Sequence, residues 1–146
     1  MKKEKGFTLI EILIVVAIIG LLASVVLVGL GSFRSRGRDA RRVADLREVQ
    51  NSLELYYLKN GNYPASNDWA DLKSVLVNDA IGITNIPNDP LSDSSSATYL
   101  YGYSADKQGY VLGATLEDVN NSALKDDIDG TVYGVGCMDS VYCVQF

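Results

Sequence analysis

The chain has no histidine, and only two cysteines, three prolines and one tryptophan among its 146 residues. Lacking histidine, it has no imidazole general base, no Ser-His or Cys-His nucleophile pair, and few routes to a zinc site. An enzyme would have to rest on a carboxylate pair, and no pattern in the sequence places two carboxylates in a cleft. The two cysteines, Cys137 and Cys143, are close together near the C-terminus. An even count in a chain with an export-type segment favours a disulfide over two free thiols. So short a loop is worth only about 2.4 kcal/mol of chain entropy, which pins a C-terminal strand without creating a fold. Charge is scarce too: from Gly6 to Phe33 the only charged side chain is Glu11.

That scarcity defines the element on which the rest depends. The run from Gly6 to Leu30 is apolar over more than the length of about 20 residues that a helix needs to cross a bilayer. A carboxylate deep in hydrocarbon costs roughly 2.5 to 3.5 kcal/mol on insertion scales. Glu11 is either a tolerated charge near a helix end that reaches the headgroups, or one half of an ion pair. A cut between Gly6 and Phe7 would create an α-amino cation at the helix tip, about one turn from Glu11. Within one chain, or between two helices packed with a small axial offset, each charge would be a partner for the other and would fix register.

Lys-Lys-Glu-Lys-Gly at residues 2–6, followed by Phe-Thr-Leu-Ile-Glu and an aliphatic helix, resembles the leader and N-terminal helix of type IV pilins and type II secretion pseudopilins. The resemblance implies cleavage by a prepilin peptidase after Gly6, N-methylation of Phe7 and a filament-register role for Glu11. It also implies self-assembly into a helical filament, served by a membrane platform protein and an assembly ATPase. Type IV pilins often carry a proline where this chain has Val28; here Gly20, Gly29 and Gly31 are the positions expected to bend or fray most readily.

Four segments follow: a leader at 1–6, a membrane-spanning or filament-core helix at 7–33, its amphipathic second half at 34–60, and an α+β head at 61–146. A conventional signal peptide is disfavoured, because the sequence after Leu30 offers no A-x-A type cleavage site. The formal net charge of −5 is unevenly spread. Arg34, Arg36, Arg38, Arg41, Arg42 and Arg47 face only Asp39 and Asp45 in the same stretch, whereas three lysines oppose twelve carboxylates beyond Asn60. The first five arginines are therefore expected to meet lipid phosphates or the acidic surface of adjacent subunits. Nucleic acid is a further partner for this belt, but not for the acidic head. By the positive-inside rule the arginines would hold the head in the cytoplasm. The cysteine pair and the resemblance place it outside, and that orientation is preferred.

From Arg38 to Lys59, Val43, Leu46, Val49, Leu53 and Tyr56 or Tyr57 recur at three- and four-residue steps, with Arg42, Asp45, Glu48 and Gln50 on other faces. Asn60-Gly61 is the expected stop, reinforced by Pro64. Asp68 caps a second helix with Trp69, Leu72, Val75 and Leu76 on one side. Gly82 to Pro90 is irregular because each proline restricts the residue before it, and Ser92 to Thr98 is a polar loop. Tyr99 to Tyr103 and Tyr110 to Leu116 predict an antiparallel hairpin, with further strands at Thr131 to Val135 and Val141 to Phe146. Tyr99, Tyr101 and Tyr103 are expected to pack on a helix rather than to bind sugar. Asp126, Asp127 and Asp129 invite calcium, but an EF-hand loop with Gly130 at its sixth position has Lys125 first and Gly136 twelfth. A solvated turn is preferred there, and calcium by another geometry, as in some major pseudopilins, is the alternative.

The predicted fold is α+β: a long N-terminal helix packed on a four-stranded, mostly antiparallel sheet, pilin-like. The expected function is a structural filament subunit, of a type IV pilus or of a type II secretion pseudopilus. The alternative is a single-pass anchored binding domain that never polymerises.

Overall fold

The computed structural model describes residues 6–93 and 99–146, with side chains left out of account at 27–30. The leader residues Lys2, Lys3, Glu4 and Lys5, and the part of the polar loop at 94–98, lie outside the described residues. The chain divides into two units, residues 1–35 and 36–146.

Among its described residues, the first unit is a non-helical stretch at 6–8 followed by the opening part of helix α1 (Leu9–Asn60), which stays α-helical through Gly20, Gly29 and Gly31. The large apolar side chains described in this unit are exposed, Phe7 by 85%. Among the described residues, α1 is the one helix long and apolar enough to cross a membrane.

In the second unit, the amphipathic spacing of α1 sends Leu46, Val49 and Leu53 completely into the core. The helix ends at Asn60 as expected: Gly61 adopts φ +72°, a left-handed conformation that costs glycine little, and its N–H donates to the Tyr57 carbonyl at 2.7 Å. Asp68 caps α2 (Trp69–Asn78), accepting the Asp71 N–H at 2.8 Å, and Trp69, Leu72 and Leu76 turn inward. The Trp69 indole N–H donates to the Pro87 carbonyl at 3.0 Å, which fastens the irregular Gly82–Pro90 stretch to α2.

Strands β1 (Leu100–Tyr103) and β2 (Tyr110–Thr115) form the predicted antiparallel hairpin, with Tyr101 opposite Leu112. Tyr99 and Tyr101 are buried against α1 and α2, and Tyr101 donates its hydroxyl to the Pro64 carbonyl at 2.8 Å, so these rings are packing groups. The rest of the sheet differs from the four strands expected. Residues 130–137 fold as their own hairpin, β3 (Gly130–Val132) and β4 (Val135–Cys137), turning at Tyr133 and Gly134. Strand β5 (Val141–Gln145) instead joins the first hairpin, giving a three-stranded antiparallel sheet in the order β1-β2-β5 beside the two-stranded one. A short 3-10 helix at Ser122–Lys125, capped by Asn121, was not expected from the sequence.

The two sheets share a second apolar cluster of Val111, Val135, Cys137 and Cys143. The predicted disulfide Cys137–Cys143 is formed and links β4 to β5, so it binds one sheet to the other. Close packing also explains Gly102, where a Cβ would lie 2.5 Å from the Tyr133 carbonyl oxygen, well inside contact distance.

Candidate functional site

The tip of α1 carries the sequence-predicted processing and register residues. Gly6, Phe7 and Thr8 precede the first helical residue, Leu9, and the Gly6–Phe7 bond is exposed. A scissile bond outside a helix is what a peptidase needs, because its backbone groups are not committed to intrahelical hydrogen bonds.

Glu11 is held in place by Thr8. The Thr8 N–H and the Thr8 hydroxyl both donate to Glu11 Oε2 at 2.8 Å, and the Glu11 N–H donates back to Thr8 Oγ1 at 3.3 Å. This is a capping box: Thr8 and Glu11, three residues apart, satisfy each other's orphan groups at the start of the helix. The motif was legible as Thr-x-x-Glu just before an apolar run, although Glu11 was read only as a tolerated membrane charge or as half of an ion pair. The cap uses one carboxylate oxygen, and a carboxylate has lone pairs left for a cation on its other oxygen.

The arginine belt is largely spent inside the chain. Arg42 is 2% exposed, and its whole guanidinium edge is used. Nε and Nη2 grip Asp89 at 2.7 and 3.1 Å, while Nη1 donates to Asp39 and Glu117, both at 2.8 Å. Arg38 holds Glu117 through two bonds of 2.7 and 2.6 Å. Asp39 also accepts the backbone N–H groups of Glu117 and Asp118 at 2.9 Å each, and Asp89 that of Leu91 at 2.8 Å. One helix turn thereby ties down two loops, those around Asp89 and Glu117. Nearby, Tyr99 donates its hydroxyl to Asp45 at 2.6 Å, and burial with that bond pushes the phenol well above its usual range.

The expectation that Arg42 meets lipid or a neighbouring subunit is therefore corrected: it is buried among three carboxylates of its own chain. Arg38 is engaged likewise, and Arg36 and Arg41 lie 3.5 and 3.6 Å from Asp118 and Asp45. Arg34 is exposed and makes no ion pair among the described residues. Four of the five arginines thus find acids within the chain, and Glu117 and Asp118 are more than 70 positions from them, beyond any local spacing rule.

Burial alone would depress the ionisation of Arg42, but its bonds to Asp89, Glu117 and Asp39 outweigh that and raise its pKa. The bond from Arg38, and then that from Arg42, hold Glu117 down to about 2. Burial raises the Asp89 carboxyl, yet its bonds from Arg42 and Leu91 leave it below the ordinary range. A depressed carboxylate adds stability that is fully present above its unfolded pKa and is lost as pH falls through the folded one. For Glu117 that window runs from an ordinary 4.5 down to about 2. Urea titrations at stepped pH should show the wild type losing stability across it. The Glu117→Gln variant should lose about 1 to 2 kcal/mol less over the same steps, allowing for solvent screening of a partly exposed group.

The calcium candidates have other surroundings. Asp127 accepts the Cys143 N–H at 3.0 Å and so occupies the outer edge of β5, while Asp126 and Asp129 are exposed. Among the described residues no three His, Cys, Asp or Glu side chains are grouped to hold a metal ion.

Residues 1–27 match the model of the prokaryotic N-terminal methylation motif. The chain is 40% identical over 65 residues to type II secretion system core protein G of Escherichia coli strain K12, covering 44% of this chain and 45% of that protein. Core protein G of Aeromonas hydrophila is 33% identical over 70 residues, 48% of this chain and 49% of that one. A fimbrial protein of Neisseria meningitidis is 35% identical over 71 residues, 49% and 42% of the two chains. The matches span about half the length of these relatives. No solved structure gives a significant match. With an N-terminal methylation motif on a long apolar helix, a small antiparallel α+β head and these relatives, the chain bears out the resemblance to type IV pilins and type II secretion pseudopilins.

Proposed function

We propose that the chain is a prepilin: a structural subunit, not an enzyme, that is cut after Gly6, N-methylated on Phe7, and polymerised through its apolar helix into a pilus or pseudopilus. The observation that carries this is the tip of α1, where an exposed, non-helical Gly6–Phe7 bond stands one turn ahead of an oriented Glu11 carboxylate. Cleavage supplies the cation that the carboxylate lacks. The amine of Phe7 from one copy pairs with Glu11 of another, and this pair sets the axial register of otherwise uniform apolar helices.

Before assembly the same helix anchors the subunit as a single pass in the cytoplasmic membrane. The head lies outside, where the disulfide that joins its two sheets persists. A prepilin peptidase, a platform protein and an assembly ATPase are the partners this route requires. The acidic head and the internally paired arginines leave little basic surface for nucleic acid. Sheared surface fractions viewed by electron microscopy test the reading: long fibres at native expression indicate a pilus, and fibres seen only on overexpression indicate a pseudopilus. Absence of fibres under both conditions would contradict it.

A further inference from the structure

On the face of α1 turned away from the core, Arg47, Asn51, Leu55 and Leu58 follow at three- and four-residue steps and are all exposed, Leu55 by 46% and Leu58 by 81%. Arg47 makes no ion pair among the described residues. Exposed leucines beside an unmatched cation form a convex ridge with no partner among those residues.

A second exposed apolar spot in the same unit is concave. Val119, 65% exposed, and Met138, 67% exposed, line a cavity of about 510 Å³ whose rim carries Asp127, Asp129 and Asp139 against a single Lys125. Asp127 is committed to the Cys143 N–H, which leaves Asp129 and Asp139 as the exposed acids. The ridge and the cavity share no residue, and each combines apolar side chains with charge opposite to the other's.

We infer that the α1 ridge of one copy seats in the Val119–Met138 cavity of the next, with Leu55 against the apolar wall and Arg47 facing Asp129 and Asp139. Arg47 and Leu55 are eight residues apart, about 12 Å along a helix, so one face of α1 presents the cation and the apolar contact together. The two patches share no residue, so each copy can use its ridge on one neighbour and its cavity on another. Such a head-to-tail contact propagates as an open helix or a ring. It rests on the filament reading above and specifies how the heads meet, a contact separate from that of the apolar cores.

Cysteine cross-linking of sheared filaments from full-length protein tests the contact. Mild oxidation of a Leu55→Cys/Met138→Cys double variant should give a ladder of dimers, trimers and longer species on a non-reducing gel, while each single variant stays monomeric. A double variant that stays monomeric while the wild type forms filaments overturns this contact and leaves the filament reading standing. If the wild type forms no filaments, both fall. A disulfide-linked dimer from Leu55→Cys alone overturns the head-to-tail arrangement, since the ridge would then meet its own copy. A charge readout avoids new thiols: Arg47→Glu should lower filament yield at least tenfold, and adding Asp129→Arg should recover most of it. Unchanged yield with Arg47→Glu overturns the inference.

Discussion

Arg42→Met should destabilise the unit of residues 36–146 by about 3 to 5 kcal/mol, the cost of removing one partner from a buried charge cluster. The methionine fills much of the space but leaves Asp39 and Asp89, both buried, without their shared cation. Asp39 would still accept two backbone N–H groups, so the heavier loss falls on Asp89, which faces the guanidinium through both oxygens. For a unit of this size the expected fall in Tm is about 12 to 25 °C. Urea unfolding of the full chain in detergent, followed by Trp69 fluorescence, gives the free energy directly, because Trp69 packs edge-on against Tyr99 beside the cluster. Arg42→Lys should recover only part of the loss, since an ammonium cannot grip Asp89 through two parallel bonds. The control is Arg34→Met, an exposed arginine, which should shift stability by less than about 0.5 kcal/mol. Equal stability of Arg42→Met and wild type would contradict the view that this cluster holds the two loops to the helix.

The second large effect concerns assembly rather than folding. Glu11→Ala removes the helix cap and the charge together, so its failure to polymerise would be ambiguous. Glu11→Gln separates them, because glutamine also serves as the third residue of a capping box but carries no charge. We expect Glu11→Gln to keep its helix content by circular dichroism and its place in the membrane fraction, while filament yield falls at least tenfold. If Glu11→Gln gave wild-type filament yield, Glu11 would be a cap and nothing more.

What the sequence revealed and what it concealed divide along a physical line. Features written within a few residues were legible. Asp68 announced its helix by the capping rule, Asn60-Gly61 announced the end of α1, and the alternating tyrosines marked the hairpin. The two cysteines stood close enough for their bond to be expected. Features written between distant residues were not. Arg42 stands four and seven residues before Leu46 and Val49, on the apolar stripe itself, but was assigned to another face because a charged side chain is seldom buried unless it is paired. Its partners Asp89 and Glu117 arrive from other loops, and that pairing, which no local spacing announces, is what lets the guanidinium stay inside. The strand order was hidden for a similar reason: nothing local to residues 130–145 says that β5 pairs with β2 while β3 and β4 keep to each other. At the candidate site, Thr8 was the exception, a local motif passed over because the cost of a charge in a membrane dominated the reasoning.

On the proposed function, cleavage creates the cation that Glu11 requires. Intact-mass and N-terminal analysis of the protein from its native membrane measures this most directly. The expected mature chain begins at Phe7 and carries one added methyl group on its amine. A chain that still begins at Met1, in cells with an active prepilin peptidase, would contradict it.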